Sequence, residues 1–227
     1  GPARERLAAR AELNTLTAKT LLIAGATGLV GSHALRLALA DARVERVVAP
    51  TRRPLPAHPK LLNPIEDFAH LPPVAPWWRV DGVVCALGTT MAKAGSQAAF
   101  EAVDYEMPLA VARLALRQGA QAFALNSALG ANPDSRVFYS RTKGELERDL
   151  QALGFPSLTL VRPGLIGGER HESRPAEQIG VRVSQWLGPL LPPRYRVVPA
   201  ERIAHHLLRS ALAAEPGCTV LPSEALV

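Results

Sequence analysis

Cysteine and aromatic residues are scarce in this sequence, and long apolar runs are absent. The two cysteines, Cys85 and Cys218, are too few for a disulfide framework and lack the spacing of metal ligands. Aromatic residues make up 5% of the chain, against 48% for hydrophobic residues as a whole. We therefore expect a core of alanine, valine and leucine, in which helices pack closely on a buried sheet. No uninterrupted apolar run approaches the roughly 18 residues of a membrane span, so we expect neither a membrane span nor a metal site.

The chain also lacks a concentrated positive charge, although its net charge is +6. Its arginines are scattered, and no basic run exceeds the pair Arg52-Arg53. Nucleic-acid binding requires basic residues gathered on one face, so we expect no nucleic-acid partner. Residues 1–18 lack the apolar core of a signal peptide, and Glu5 and Glu12 argue against an organelle transit segment. We expect an N-terminal extension of the fold in a cytoplasmic protein.

Apolar strand patterns alternate with helical patterns along the chain. Buried strands are predicted over 20–25, 44–50, 80–88, 120–128 and 157–164, with a short strand near Leu61 inside a proline-rich loop. Helices are predicted over 29–40, 99–119 with a kink at Pro108, 138–154, about 175–190 and about 201–214. This alternation predicts a single α/β domain over 1–227, a doubly wound parallel sheet of the Rossmann-like type. Such sheets bind ligands at the carboxyl ends of their strands.

Three glycines follow the first predicted strand with the spacing G-x-x-G-x-x-G, at Gly25, Gly28 and Gly31. In a dinucleotide site the first permits a tight turn, and the second lets the backbone approach a pyrophosphate. The third lets helix and strand pack closely, with the phosphates at the helix N-terminus. The alternative is a plain strand-to-helix turn that uses glycine for its geometry. At the first strand of an alternating chain, the pattern favours nucleotide binding.

The end of the second strand distinguishes between the two nicotinamide dinucleotides. NAD sites usually carry an acidic residue there, which binds the ribose 2′-hydroxyl. Here the sequence reads "APTRRP", so Arg52 and Arg53 stand where an acid is expected. An arginine can pair bidentately with a 2′-phosphate. The segment therefore predicts NADP(H), the alternative being an exposed basic turn.

Candidate catalytic residues lie in "NSALGANPDSRVFYSRTKGE". Tyr139 and Lys143 are four residues apart on a predicted helix and so share one face. A lysine ammonium near a phenol favours the phenolate, which makes the tyrosine a usable proton donor or acceptor beside a carbonyl. Ser127, at the end of the preceding strand, could hydrogen-bond the same carbonyl oxygen. The alternative is a chance spacing on a surface helix.

Together the segments "GATGLVG", "CALGTT", "NSALGA", "FYSRTKGELE", "RPGLIGGER" and "ESRPAE" resemble short-chain dehydrogenase/reductases. The similarity extends from about residue 20 to about 210. It is to the atypical kind with a shortened C-terminal region, in the branch of the Tat-interacting-protein-like oxidoreductases and their bacterial relatives. The strand after Asp81 differs from the classical enzymes, since it ends in "CALGTT" rather than Asn-Ala-Gly.

The resemblance implies a role for each matching position. The catalytic set would be Ser127, Tyr139 and Lys143, with Lys143 also holding the nicotinamide ribose. Arg52, beside Arg53, would hold the adenosine end of the cofactor. The remaining cofactor-binding positions would be the glycine turn at Gly25, Thr27, Gly28, Leu29, Val30 and Gly31, the segment Leu87, Gly88 and Thr89, and the nicotinamide-flanking Pro163, Leu165 and Ile166.

The predicted function is thus an NADP(H)-dependent oxidoreductase that transfers hydride to or from a small carbonyl or hydroxyl substrate. One alternative is a non-catalytic NADPH sensor, and another is a nucleotide-sugar epimerase or dehydratase. Residues 164–195 leave the ligand-binding edge and are predicted to cover the substrate, with a fixed surface helix as the alternative. His171, Glu172, Arg174 and Glu177 in this range are candidate specificity residues. Monomer and homodimer both remain open.

Overall fold

The computed structural model describes residues 18–164, 166–167, 186–187 and 190–227. Its strands, in chain order, are β1 (Lys19–Ala24), β2 (Val44–Val48), β3 (Leu61–Leu62), β4 (Gly82–Cys85), β5 (Ala122–Asn126), β6 (Ser157–Arg162), β7 (Ile166–Gly167), β8 (Val198–Pro199) and β9 (Gly217–Pro222). Seven of them form one sheet in the order β3-β2-β1-β4-β5-β6-β9, and β7 pairs with β8 separately. Every pairing in the large sheet is parallel. The predicted Rossmann-like α/β fold is confirmed.

The helices cover both faces of this sheet. They are α1 (Leu29–Ala40), α2 (Met91–Ala94), α3 (Gln97–Glu101), α4 (Met107–Arg117), α5 (Phe138–Leu153) and α6 (Ala200–Ala213). Alternate residues of β1 face opposite sides, so Leu21 and Ile23 join the core under α1 and α6, while Leu22 joins the core under α4 and α5. The buried residues of the α1/α6 core are all alanine, valine, leucine or isoleucine. This composition follows from the scarcity of aromatic residues.

The helix predicted over 99–119 has an irregular centre. A π-helical turn, Ala102–Glu106, joins α3 to α4 immediately before Pro108. Proline has no N–H, and its ring crowds the carbonyl of the residue four positions earlier, which is Asp104. A wider turn relieves this conflict. The predicted kink is therefore a local widening of the helix.

Strand β9 is absent from the sequence-based prediction, which ended at a helix near Ala214. In the structure β9 pairs in parallel with β6, with Leu158 opposite Cys218. It lies at the edge of the sheet, and Val220 remains 40% exposed. A strand with so little burial lacks a strong apolar pattern, which explains why the sequence did not indicate it.

Candidate active site

The predicted site residues gather at one edge of the sheet because parallel strands end at the same edge. The glycine turn follows β1, residues 87–89 follow β4, residues 127–129 follow β5, and residues 163–164 follow β6. Backbone hydrogen bonds hold neighbouring loops together: Ala86 N–H donates to Ala24 O (2.9 Å), and Leu129 N–H donates to Pro163 O (2.9 Å). This edge is the candidate active site.

The glycine turn has the geometry that the sequence predicted. Gly25 has a φ of +84°, and a Cβ there would lie 2.6 Å from Ala86 O. A Cβ at Gly31 would lie 1.8 Å from Gly25 O. Gly28 is different, since a Cβ there would meet only Gly25 O, at 3.4 Å. Gly25 and Gly31 are thus required by the fold, whereas Gly28 leaves space beside the helix.

The N-terminus of α1 suits a bound anion. Gly28 is its N-cap, no side chain caps it, and its first turn carries no acidic residue. The positive end of the helix dipole and the first N–H groups are therefore not neutralised by a local side chain. Thr27 is exposed and Leu29 half-buried, whereas the Val30 side chain is buried in the core and leaves only its backbone for a ligand. This turn fits the pyrophosphate of a dinucleotide.

Arg52 and Arg53 are exposed just beyond β2, on a turn anchored by Asn63. The Asn63 amide donates to Ala49 O (2.6 Å) and to the Thr51 hydroxyl (2.8 Å). Its oxygen accepts from Leu55 N–H (2.8 Å). The anchor fixes the backbone on both sides of the arginines. No sequence motif marks Asn63, which lies in the proline-rich loop.

Tyr139 lines a pocket of about 380 Å³ between the loops after β5 and β6. The described residues around the pocket are Ala128, Leu129, Tyr139, Pro163, Gly164 and Tyr195. Tyr139 is 36% exposed and lies near the start of α5. Lys143, one helical turn later, places its Nζ 5.8 Å from the centre of the Tyr139 ring. The structure therefore brings the predicted tyrosine and lysine together, with the tyrosine on the pocket wall and the lysine buried beside it.

A buried carboxylate meets Lys143 on its other side. Lys143 Nζ lies 2.6 Å from Asp104 Oδ1, and both side chains are buried. Burial alone would lower the pKa of Lys143, but the charge of Asp104 opposes this and the pKa is raised overall. No sequence motif marks Asp104. The only local signal was Pro108, four residues later, which marks the irregular turn on which Asp104 lies.

Ser127 is placed differently from the prediction. Its hydroxyl donates to Glu147 Oε1 (2.6 Å) in the interior, and Glu147 also accepts from Arg162 at 3.0 and 2.5 Å. Hydrogen bonding to Glu147 holds the pKa of Arg162 above its usual value. The pocket wall beyond β5 is formed instead by Ala128 and Leu129. The predicted substrate contact of Ser127 does not fit this geometry, because its hydroxyl proton is engaged by a buried carboxylate.

The other predicted cofactor positions lie after β4 and after β6. Leu87 and Thr89 are half-buried and Gly88 is exposed, directly after β4. Pro163 lines the pocket, and Ile166, in β7, packs against the α1/α6 core. Leu165 lies outside the described residues, as do His171, Glu172, Arg174 and Glu177 and most of the predicted substrate cover.

Two kinds of feature, a metal-binding cluster and a membrane-spanning helix, are absent from the described residues. No group of three or more histidine, cysteine, aspartate or glutamate side chains within this part of the chain could hold a metal ion. No helix in the described ranges is long and apolar enough to cross a membrane.

Solved structures with this fold include several nicotinamide-dinucleotide complexes. MoeE5 with UDP-glucose and NAD is 18% identical, with a TM-score of 0.67 over 89% of this chain and 75% of that chain. The Bordetella bronchiseptica enzyme WbmH with NAD⁺ is 17% identical, with a TM-score of 0.66 over 90% and 76%. A short chain dehydrogenase family protein from Francisella tularensis is 11% identical, with a TM-score of 0.61 over 92% and 98%. Similarity at this level of identity shows the fold.

Sequence relatives give a narrower assignment, although no family model matches the chain. Protein FMP52 of Debaryomyces hansenii is 38% identical over 156 residues, which cover 67% of this chain and 69% of the relative. Protein fmp52 of Aspergillus fumigatus is 39% identical over 163 residues, with the same two coverages of 67% and 69%. The fold and the site define a Rossmann-like α/β protein. Within that class, the chain belongs to the FMP52 family.

The relatives correct one prediction. The relatives from Debaryomyces hansenii and Aspergillus fumigatus are named as mitochondrial proteins. So is the FMP52 protein of Candida albicans, which is 35% identical over 176 residues. The cytoplasmic location predicted from the sequence is therefore wrong. Residues 1–17, where Glu5 and Glu12 argue against a transit segment, lie outside the described residues.

Proposed function

We propose that this protein is an NADP(H)-dependent oxidoreductase that acts on a small carbonyl or hydroxyl substrate. The observation that carries the proposal is the position of Tyr139 on a pocket wall, with Lys143 Nζ 5.8 Å from the centre of its ring. The glycine turn lies at the same edge of the sheet. The proposed cofactor site and the proposed proton-transfer group would thus be neighbours in the fold.

The cofactor site would combine two elements. The uncapped N-terminus of α1, with the open space beside Gly28, would hold the pyrophosphate. Arg52, on the turn anchored by Asn63, would pair with the 2′-phosphate that distinguishes NADP(H) from NAD(H). Support for NADP(H) comes from this turn alone, since two of the similar structures named above contain NAD.

When bound, the nicotinamide would supply or accept the hydride. The Tyr139 hydroxyl would exchange a proton with the substrate oxygen, with the positive charge of Lys143 beside its ring. Ser127 would donate its hydrogen bond to buried Glu147 rather than contact the substrate. A pocket of about 380 Å³ suits a small substrate. Gly164 and Tyr195, at the two ends of the predicted substrate cover, both line it.

The decisive experiment is steady turnover of NADPH with a panel of small aldehydes and ketones. The Tyr139→Phe variant serves as the control, because it keeps the ring and removes only the hydroxyl. Turnover by the unchanged protein that disappears in Tyr139→Phe supports the proposal. Equal rates in the two proteins would remove Tyr139 from the mechanism.

One observation favours the alternative of a non-catalytic NADPH sensor. The wall after β5 presents Ala128 and Leu129 to the pocket, so the described residues offer no second hydroxyl to the substrate oxygen beside Tyr139 from this loop. A sensor needs cofactor affinity but no proton-transfer group. Tight NADPH binding without turnover on any carbonyl compound would support this alternative over the enzyme.

The proposal also includes a branch of the family and a location in the cell. Placement in the Tat-interacting-protein-like branch rests on the segments "FYSRTKGELE", "RPGLIGGER" and "ESRPAE". A mitochondrial location is proposed from the names of the FMP52 relatives. Fluorescence microscopy of the tagged full-length chain with a mitochondrial marker tests the location.

A further inference from the structure

The carboxylate of Asp104 is the most completely buried charge in contact with the candidate catalytic pair. The Asp104 side chain is 1% exposed and that of Lys143 is 6% exposed, and Asp104 Oδ1 lies 2.6 Å from Lys143 Nζ. Burying one charged group without its partner carries a large cost in free energy. Each side chain therefore depends on the other for its charged state and its position.

The position of Asp104 follows from the irregular centre of its helix. Asp104 lies in the π-helical turn Ala102–Glu106, and it is the residue whose carbonyl Pro108 crowds. Widened turns of this kind are frequent at functional sites. Here the wide turn directs an acidic side chain inward beside α5, whereas neighbouring Glu101 and Glu106 are exposed.

The second oxygen of Asp104 reaches the loop after β4. Asp104 Oδ2 accepts from Thr89 N–H at 2.9 Å. A Cβ at Gly88 would lie 3.4 Å from Asp104 Oδ1 and 4.0 Å from Lys143 Nζ, so this loop passes directly over the ion pair. One carboxylate thus links the lysine on α5 to the loop predicted to line the cofactor.

We propose that Asp104 is the positioning residue of Lys143: it holds the ammonium under the Tyr139 ring and ties it to the cofactor loop at Gly88 and Thr89. The proposal rests on the proposed function, in which Lys143 serves the cofactor and the proton transfer. It adds a third member, a carboxylate from a different helical segment, to the tyrosine-lysine pair.

Three groups face the Lys143 ammonium. They are Asp104 on the π-helical turn, Tyr139 on α5 and Cys85 at the end of β4. Burial lowers the pKa of Lys143, and the charge of Asp104, followed by those of the other two groups, raises it above its usual value. The ion pair therefore stabilises the fold below the ordinary lysine range, and this contribution is lost as pH rises through the raised pKa. Removal of the Asp104 charge takes away the largest contribution that opposes burial, so the ammonium should lose its proton at lower pH.

The first test follows Lys143 directly and needs no cofactor. The chain has four lysines, Lys19, Lys60, Lys93 and Lys143. NMR of isotope-labelled lysine side chains therefore gives few signals, and Lys143→Arg identifies the relevant one. In Asp104→Asn the Lys143 signal should titrate at lower pH than in the unchanged protein. In Glu106→Gln, which removes an exposed acid from the same π-helical turn, it should not move. A Lys143 titration that is the same in Asp104→Asn and the unchanged protein overturns the proposal.

The second test separates positioning from a merely structural role. A charge-assisted hydrogen bond contributes about 1.5–3 kcal/mol, so kcat with NADPH should fall roughly ten- to a hundredfold in Asp104→Asn. The pH profile of turnover should shift together with the Lys143 titration. A lower kcat with an unshifted pH profile would contradict the positioning role. Absence of turnover in the unchanged protein would instead overturn the proposed function, and the lysine titration would still decide the role of Asp104.

A variant that does not fold is also informative. If Asp104→Asn is unfolded, the double variant Asp104→Asn/Lys143→Gln removes both charges and keeps polar groups of similar size. Recovery of folding in the double variant supports the pair, because the single variant then failed through an unpaired buried lysine. Failure of the double variant to fold would assign Asp104 to packing alone and overturn the proposal.

Discussion

Gly31, in the first turn of α1, packs directly against the backbone of Gly25, at the end of β1. A Cβ at residue 31 would lie 1.8 Å from Gly25 O and 2.6 Å from Gly25 C. No side-chain adjustment can relieve this contact, because both atoms belong to the backbone. The helix therefore lies as close to the strand as a glycine permits, which places its N-terminus beside the edge where the other strands end.

The first prediction contrasts Gly31→Ala with Gly28→Ala. Gly31→Ala should strongly destabilise or unfold the protein, because of the clash with Gly25. Gly28→Ala should keep the melting temperature, since a Cβ there meets only Gly25 O, at 3.4 Å, and φ is −78°. It should still weaken NADPH binding if the space beside Gly28 holds the pyrophosphate. Thermal unfolding and calorimetry test both statements, and unchanged NADPH affinity in a folded Gly28→Ala variant would place the cofactor elsewhere.

The second prediction concerns the choice between cofactors. Arg52→Ala should weaken NADPH binding by roughly ten- to a hundredfold, the loss expected for one charge-assisted contact. NADH binding should hardly change. Arg46→Ala, which removes an equal charge from an exposed position in β2, is the control and should leave both affinities unchanged. Calorimetry that gives equal affinity of the unchanged protein for NADPH and NADH would reject the preference.

The third prediction separates the two tyrosines of the pocket. Tyr139→Phe should bind NADPH normally and lose turnover by about a hundred- to ten-thousandfold, the range for acid–base groups. Tyr195→Phe removes the hydroxyl of another residue that lines the same pocket and should affect KM more than kcat. Comparable losses of kcat in both variants would argue that neither hydroxyl has a specific role in proton transfer.

The fourth prediction concerns Ser127. Because its hydroxyl donates to buried Glu147, Ser127→Ala should leave a carboxylate oxygen without that donor and lower the free energy of unfolding by about 1–3 kcal/mol. Turnover should fall much less than in Tyr139→Phe. Denaturant unfolding and kinetics on the same preparation check this. A large loss of turnover with unchanged stability would restore the substrate contact that the sequence predicted.

The fifth prediction is a pH dependence of stability from Cys85. Cys85 is fully buried, and burial raises the pKa of its thiol to about 12. In the unfolded chain a cysteine ionises near pH 8.5, so the unfolded state releases a proton that the folded state keeps. The free energy of unfolding should therefore fall by up to about 1.4 kcal/mol per pH unit above about pH 8.5. Cys85→Ala should flatten the slope between about pH 8.5 and 10, whereas Cys218→Ala, at an exposed position, should change it less.

Local features of the site were predictable from the sequence. The strand β1, the glycine turn and α1 are consecutive in the chain, so their apolar period and glycine spacing describe them completely. Tyr139 and Lys143 are likewise one helical turn apart, and any helix over 138–154 puts them on one face. The alternation of strands and helices predicted the parallel sheet, and with it the edge at which these residues meet.

Contacts between distant segments were decided by the tertiary structure. Asp104 reaches Lys143 only because α3, the π-helical turn and α4 pack beside α5, and no pattern near either residue indicates the pair. The engagement of Ser127 by Glu147, which lie 20 residues apart, depends in the same way on how α5 crosses the end of β5. Strand β9 joins the sheet because it pairs with β6, and its own apolar pattern does not predict a strand. Backbone periodicity and turn chemistry are short-range and can be read along the chain. The partners of a buried charge or hydroxyl are set by packing, which brings together residues whose separation in sequence carries no signal.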